Sequence, residues 1–454
     1  MKATKAKKSN WQKIRKLFND LHLWFGLISG IVVFVVCLTG TVYVYNTEIR
    51  EAAAPQYYQV ASAGKQKINT DSLLRISKDN IKGKVVGIKI PFDQERTVAI
   101  LYNKPKKDIE GKESSAKDNG PSISVDKKAG EGEGKARVEK ANDKLADSKK
   151  EEPKKEAGRK PRANQMMVNP YTGELIGDVG EIKNGTNDMM QVMFGLHRWL
   201  LLNEIKEPIF DGIENRKLGS WITGTATLLF LLGVISGMII WFPNKLRGWK
   251  NGLSIKWSGN WKRINHDIHN TLGFYSCIIL FLMSVTGPFW SFDWYRTGWQ
   301  KTWGTYEAPS EKKEEKTKLV SIYPITGKRI ITIDETLIAI NKVLPYDGDI
   351  TINFPKDSTG TISVMKNKVG FFAPSAGDKL TLDQYTGEIL EKEIFVEKTF
   401  SQRASASVKA LHIGDIYGPF TKILYFISCL IATSLPVTGV FIWINKMKKK
   451  PKRK

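Results

Sequence analysis

The chain is poor in the side chains that usually hold metals: 454 residues contain three cysteines and five histidines. Cys37, Cys277 and Cys429 all lie inside long apolar runs. That excludes a disulfide framework in the polar regions and a thiolate site of the Cys-x-x-Cys kind. The three read instead as small apolar packing residues. No Gly-x-Gly-x-x-Gly follows a strand-like segment, so nothing marks a nicotinamide site. Acids are scarce where bases are dense: residues 1–22, 243–265 and 446–454 together hold twenty Lys/Arg and one acid, Asp20, which accounts for most of the net charge of +24.

That placement argues against a nucleic-acid partner, whose binding surface would be a continuous basic patch or stripe. What is present explains it better. Four apolar runs, Leu23–Tyr45, Gly219–Phe242, Leu272–Trp290 and Ile423–Ile444, are each long enough to cross a hydrocarbon core of roughly 30 Å. With four spans the three basic segments share one side, which the positive-inside rule makes the cytoplasm, next to anionic lipid headgroups. The expected layout is a basic N-terminus 1–22, spans at 23–45, 219–242, 266–290 and 423–445, a basic loop 243–265 and a basic tail 446–454. The exported, periplasmic stretches are then 46–218 and 291–422, as in a bacterial inner membrane. The first apolar run exceeds a signal-peptide core, so it is expected to stay as an anchor despite Ala52-Ala53-Ala54. Residues 104–162 are almost wholly polar and are expected to form a disordered insertion.

The chain reads as a duplication. Asp20-Leu21-His22, Gly26 and Thr39-Gly40 recur as Asp267-Ile268-His269, Gly273 and Thr286-Gly287, always 247 residues later. Each span is followed by a stretch carrying Tyr-Thr-Gly-Glu, at 171–174 and 385–388, with Leu196-His197 and Leu411-His412 beyond. Ser236-Gly237 and Thr438-Gly439 mark the second and fourth spans. Such self-similarity implies pseudo-twofold symmetry about the membrane normal. The fold class expected is a four-transmembrane-helix bundle with two α+β exported modules. Strands are expected around 85–102 and 348–372, turns at the Tyr-Thr-Gly-Glu strings, and short helices at 72–77, 334–343 and about 188–203.

All five histidines stand at the mouths of apolar runs. Imidazole near hydrocarbon is a functional-site hypothesis by default, and histidine is a common axial ligand of haem iron. Symmetry pairs His22 with His269 near the cytoplasmic face, and His197 with His412 near the periplasmic face, as two bis-histidine haem sites. Gly26 and Gly273 lie one helical turn from His22 and His269. Gly40 and Gly287 lie about 26 Å further along their helices, level with the opposite histidine pair, while Gly237 and Gly439 match the depth of His22 and His269. These glycines are expected to make notches for the macrocycle; packing of small residues between membrane helices is the alternative. His266 has Asn19 as its counterpart and is given a supporting role. Arg198, Arg15 and Arg263 are placed to pair haem propionates, though basic residues at membrane edges commonly snorkel. A zinc or copper site is the rival, but the exported stretches offer no further histidine or cysteine.

The Leu-His at the first span, Leu196-His197-Arg198, Asp267-x-His269 with Gly273, Leu411-His412 with Gly414 and the Tyr-Thr-Gly-Glu strings together resemble the PepSY-associated transmembrane helix family, over nearly the whole chain outside 104–162. The resemblance implies PepSY-like exported modules and an inner-membrane, haem-containing ferric-siderophore reductase linked to iron uptake. Its partners would be two haem b groups, a ferric siderophore as acceptor, and a cytoplasmic reductase, quinol or diffusible reductant as donor. A non-redox sensor or regulator and a transporter are the alternatives. A transporter would want broken helices lined with ionisable groups at mid-membrane, and only Pro436 and Pro288 interrupt these runs.

Overall fold

The structure is a computed structural model that describes residues 10–61, 66–105, 163–243, 249–250, 252–308, 319–323 and 329–448. All but the first two residues of the 104–162 insertion, and most of the basic tail, lie outside the described residues.

Four helices are long and apolar enough to cross a membrane. They are α1 (Asn10–Tyr43), α6 (Asn215–Trp241), α7 (Trp261–Thr286, extended by a 3-10 turn to Trp290) and α12 (Gly418–Met447). Two begin well before their apolar runs. In α1 the helix takes in the basic stretch from Asn10, and in α7 the Asn260 side chain accepts from the Arg263 N–H at 3.0 Å and starts the helix ahead of its histidines. His22 and His269 therefore stand at the mouths of their apolar runs but inside their helices. Serines and threonines inside the bundle bond to their own helix, as Ser29 does to the Phe25 carbonyl (2.7 Å), which satisfies hydroxyls where water is excluded.

Between α1 and α6 come α2 (Asn46–Ala53), α3 (Pro55–Tyr58), α4 (Thr70–Asn80), strands β1 (Lys84–Ile90), β2 (Val98–Asn103), β3 (Asn164–Val168) and β4 (Leu175–Asp178), and α5 (Gly185–Trp199). Between α7 and α12 come α8 (Asp293–Thr302), α9 (Ile333–Val343), β5 (Gly348–Asn353), β6 (Thr361–Lys368), β7 (Asp378–Asp383), β8 (Ile389–Glu393), α10 (Phe400–Ala406) and α11 (Val408–Ile413). The two stretches do not make separate modules. Their strands form one antiparallel sheet in the order β4-β3-β2-β1-β5-β6-β7-β8, joined where Ile88 stands opposite Ile352. Pairing β1 with β5 removes two exposed sheet edges, which would otherwise invite aggregation.

Alternation along the strands puts Ile88, Ile100, Val168, Ile352, Val364, Leu380 and Leu382 in one core with Leu73 of α4 and Ile340 of α9. Both Tyr-Thr-Gly-Glu strings are turns. Gly173 and Gly387 adopt φ of +75° and +72°, and Asn169 and Asp383 accept from the Tyr171 and Tyr385 N–H groups. The sheet is tied to the bundle where Phe372, in the β6–β7 connection, stacks on Tyr417 at 4.6 Å, and α2 is tied to α12 where Lys422 reaches Glu48 at 2.5 Å.

Candidate functional site

The helices bring the histidines together in two pairs. His22 of α1 and His269 of α7 have ring centroids 6.1 Å apart with planes at 81°; His197 of α5 and His412 of α11 are 6.2 Å apart at 62°. Two imidazoles binding one metal ion from opposite sides, at about 2 Å each, leave about 6 Å between centroids.

Each imidazole rests in the same kind of seat. His22 Nδ1 donates to the Gly233 carbonyl at 2.9 Å and to Ser236 Oγ at 3.3 Å. His197 Nδ1 donates to the Val36 carbonyl (2.9 Å) and Thr39 Oγ1 (3.4 Å), and His412 Nδ1 to the Met283 carbonyl and Thr286 Oγ1, both at 3.1 Å. His269 Nδ1 meets Thr438 Oγ1 at 2.8 Å and bonds the Leu435 carbonyl. A seat is thus a carbonyl four residues before a glycine and the hydroxyl just before it.

The network fixes the tautomer. Each hydroxyl gives its own proton to its helix, as Thr39 does to Val35 (2.7 Å), Thr286 to Leu282 (2.7 Å), Thr438 to Ser434 (3.0 Å) and Ser236 to Gly233 (3.0 Å). A carbonyl can only accept, so Nδ1 carries the imidazole proton in all four residues. Nε2 is left with its lone pair and no hydrogen-bond partner among the described residues. This is the arrangement that orients a metal-ligating histidine. Outside the spanning segments, enclosure among helices pushes the His197 and His412 imidazoles down to about 4 and about 3, and the nearby Arg198 charge adds to both. They are neutral at neutral pH, as ligation requires.

The glycines divide into two roles. A Cβ on Gly40 would stand 3.1 Å from His197 Cε1, and one on Gly237 would stand 3.2 Å from His22 Cε1; on Gly287 and Gly439 the distances to His412 and His269 Cε1 are both 3.5 Å. These four were expected to notch for a macrocycle. They instead admit the edge of an imidazole, because the hydroxyl and carbonyl beside them draw the ring against the helix. Gly26 and Gly273 differ. A Cβ on Gly26 meets nothing within 4 Å, and one on Gly273 meets only Leu435 Cδ2 at 3.9 Å. Both line a cavity of about 260 Å³ between the four spanning helices, together with His22, His269, Phe230 and Pro436. The cavity borders the His22–His269 pair, and the donor set there, two facing imidazoles with each proton held on Nδ1, fits a haem.

The supporting residues are placed as follows. His266 lines the mouth of the cavity with Asn19, and its Nδ1 stands 3.5 Å from Asp267 Oδ1. Arg263 Nε is engaged by Asp267 at 2.8 Å and Arg15 donates through one nitrogen to the Ile240 carbonyl at 2.9 Å, so each of these two propionate candidates has a local partner for one of its N–H groups. Arg198 lies 5.9 Å from the Trp199 ring. The α5 helix stops after Trp199, where Leu200 and Leu201 both take left-handed φ, 53° and 59°, so the helix expected to reach 203 ends in a reversal. Two leucines there are strained. The reversal holds the Trp199 backbone against Gly219 of α6, where any Cβ would clash, and the Arg198 carbonyl accepts from Thr223 at 3.1 Å. His197 is thereby locked to two spanning helices. Sequence reasoning missed the four seat hydroxyls as histidine partners; their recurrence directly before each paired glycine was the available signal. Among the described residues no three His, Cys, Asp or Glu side chains gather as a metal site.

Among known families, the model described as PepSY-associated TM region matches residues 20–446. A search of curated proteins finds no match.

Proposed function

This chain belongs to the PepSY-associated TM family, and from that premise we propose that it is a di-haem b-type membrane protein. It carries electrons across the bilayer to a ferric siderophore on the outer side. The observation that carries the reading is the geometry of the two histidine pairs: imidazoles about 6 Å apart, every Nδ1 tied to a seat and every Nε2 free. Bound there, haem supplies reversible one-electron exchange.

The protein's own residues do the rest. His22 with His269, and His197 with His412, hold the two groups from both sides. The carbonyl and hydroxyl of each seat keep the proton on Nδ1 and strengthen Nε2 as a donor. Gly26 and Gly273 leave the space, and the apolar lining keeps water out. The levels of the two pairs differ by eighteen residues along α1, from His22 to the seat at Gly40, or roughly 27 Å at 1.5 Å per residue, most of a hydrocarbon core. The repeated seats and the mirrored strand order support an internal duplication.

The basic ends of the spans support cytoplasmic termini in a bacterial inner membrane, with the sheet in the periplasm. The donor is then a cytoplasmic reductase or quinol. Reducing Fe(III) to Fe(II) weakens its hold on hard oxygen ligands and lets the chelator release it.

The test is the visible spectrum of the purified protein. Low-spin, six-coordinate haem bands that sharpen with dithionite are expected, followed by reoxidation on adding a ferric siderophore. Reduced haem that persists with such chelates removes the substrate assignment; a colourless protein removes the haem.

A further inference from the structure

Among the described residues, three buried N–H donors in the second half of the molecule have no partner. They are Trp299 Nε1 and Trp303 Nε1, at the end of α8 and just beyond it, and Arg403 Nε on α10. The elements that carry them pack together. The Trp299 and Trp303 rings are 5.8 Å apart, Trp303 meets Phe400 at 5.8 Å, and Thr305 and Ser405 share a hydrogen bond of 2.6 Å. Phe400 and Arg403 are three apart on α10 and share its face.

The corresponding place in the first half is closed. There α2 follows its spanning helix as α8 does, and α5 carries a histidine as α11, just after α10, does. Arg50 donates to Asn187 at 2.7 Å and to Asn46 at 2.8 Å, and Asn187 in turn donates to the Ile182 carbonyl at 2.9 Å. At this place Arg50 and Asn187 have internal partners, whereas Trp299 Nε1, Trp303 Nε1 and Arg403 Nε have none among the described residues. A buried donor left unmade costs about 1–3 kcal/mol, so three on adjacent elements call for an acceptor that the described residues do not supply. The set is two indole N–H groups and a guanidinium N–H, with no carboxylate bonded to any of the three atoms.

We propose that Trp299, Trp303 and Arg403 form an oxyanion-binding site at the outer end of the second half. The acceptor has two natural sources with the same lone pairs. One is the phosphate of a phospholipid, since α8 leaves the spanning segment at the interface with Trp294 exposed. The other is a carboxylate of a group bound at the neighbouring histidine pair, whose His412 packs on Trp290 at 5.1 Å just before α8. Only the second source rests on the haem reading.

The experiment compares the full-length protein with Arg403→Gln, Arg403→Lys and Trp299→Phe/Trp303→Phe. It reads phospholipid phosphate retained per chain after delipidation, and the haem midpoint potential with either haem or its dimethyl ester bound. A lipid phosphate is shown by loss of about one phosphate in the Gln and double-Phe variants, with recovery in Lys. A carboxylate is shown by a potential shift in those variants that vanishes with the ester. If correctly folded variants change neither readout, whether or not the preparation holds haem, the site is overturned.

Discussion

The two histidine pairs use one seat on different carriers. His22 and His269 belong to spanning helices and open onto a cavity inside the bundle, whereas His197 and His412 come from short helices outside the spans, one fixed by a strained leucine reversal and the other by Trp290. The first pair is positioned by the bundle itself. The second depends on loop structure to bring its imidazoles to the same spacing. A single local device, a hydroxyl next to a glycine one turn after an accepting carbonyl, therefore sets imidazole orientation wherever the histidine comes from.

The largest expected effects separate the pairs. His22→Ala and His412→Ala should each remove about one haem per chain and leave the other site's spectrum intact, measured by haem quantification. Loss of both from either change would mean that the sites are not independent. Next, Gly40→Val should disturb only the sheet-side site and Gly237→Val only the other, because each added side chain would press on one imidazole edge.

Gly26→Leu sharpens the contrast between seat and cradle. Its Cβ enters open space, and leaving glycine in a helix gains up to about 1 kcal/mol, so the haem-free fold should stay as stable or become more so while haem uptake falls. Equal haem uptake would show that the cavity is not the cofactor's place. Thr286→Val should retain haem, losing one hydrogen bond of about 1 kcal/mol, with a small shift in the potential of the sheet-side site alone.

The smallest effect is on pH. The folded pKa values of His197 and His412 are depressed by enclosure. The unfolded chain therefore binds protons that the fold refuses, and the stability of haem-free protein should drop as pH falls from about 6.5 toward 4. Thermal unfolding in detergent should show this drop flattened in His412→Ala.

Much of this was legible because chemistry recurred at a fixed offset. The 247-residue spacing joined His22 to His269 and Thr39-Gly40 to Thr286-Gly287, and the structure brings those same residues into matching positions. Hydropathy located four long helices because lipid imposes length and apolarity. What could not be read was long-range pairing. Nothing in Lys84–Ile90 announces that it will lie beside Gly348–Asn353, since any alternating strand could. The function of the Ser/Thr-Gly pairs was misjudged for a related reason: depth along a helix predicts what stands level with a residue, not which part of that neighbour fills the space. Arg263 is also held by Asp267 one turn away, a contact its (i, i+4) spacing permitted but did not require.

The most direct measurement is haem stoichiometry and ligation in the purified wild-type protein, by pyridine haemochrome assay with low-temperature electron paramagnetic resonance. The account expects two haems per chain, both low-spin with two imidazole ligands. A preparation that folds and functions without haem, or that binds haem with His22, His269, His197 and His412 all replaced, would contradict it.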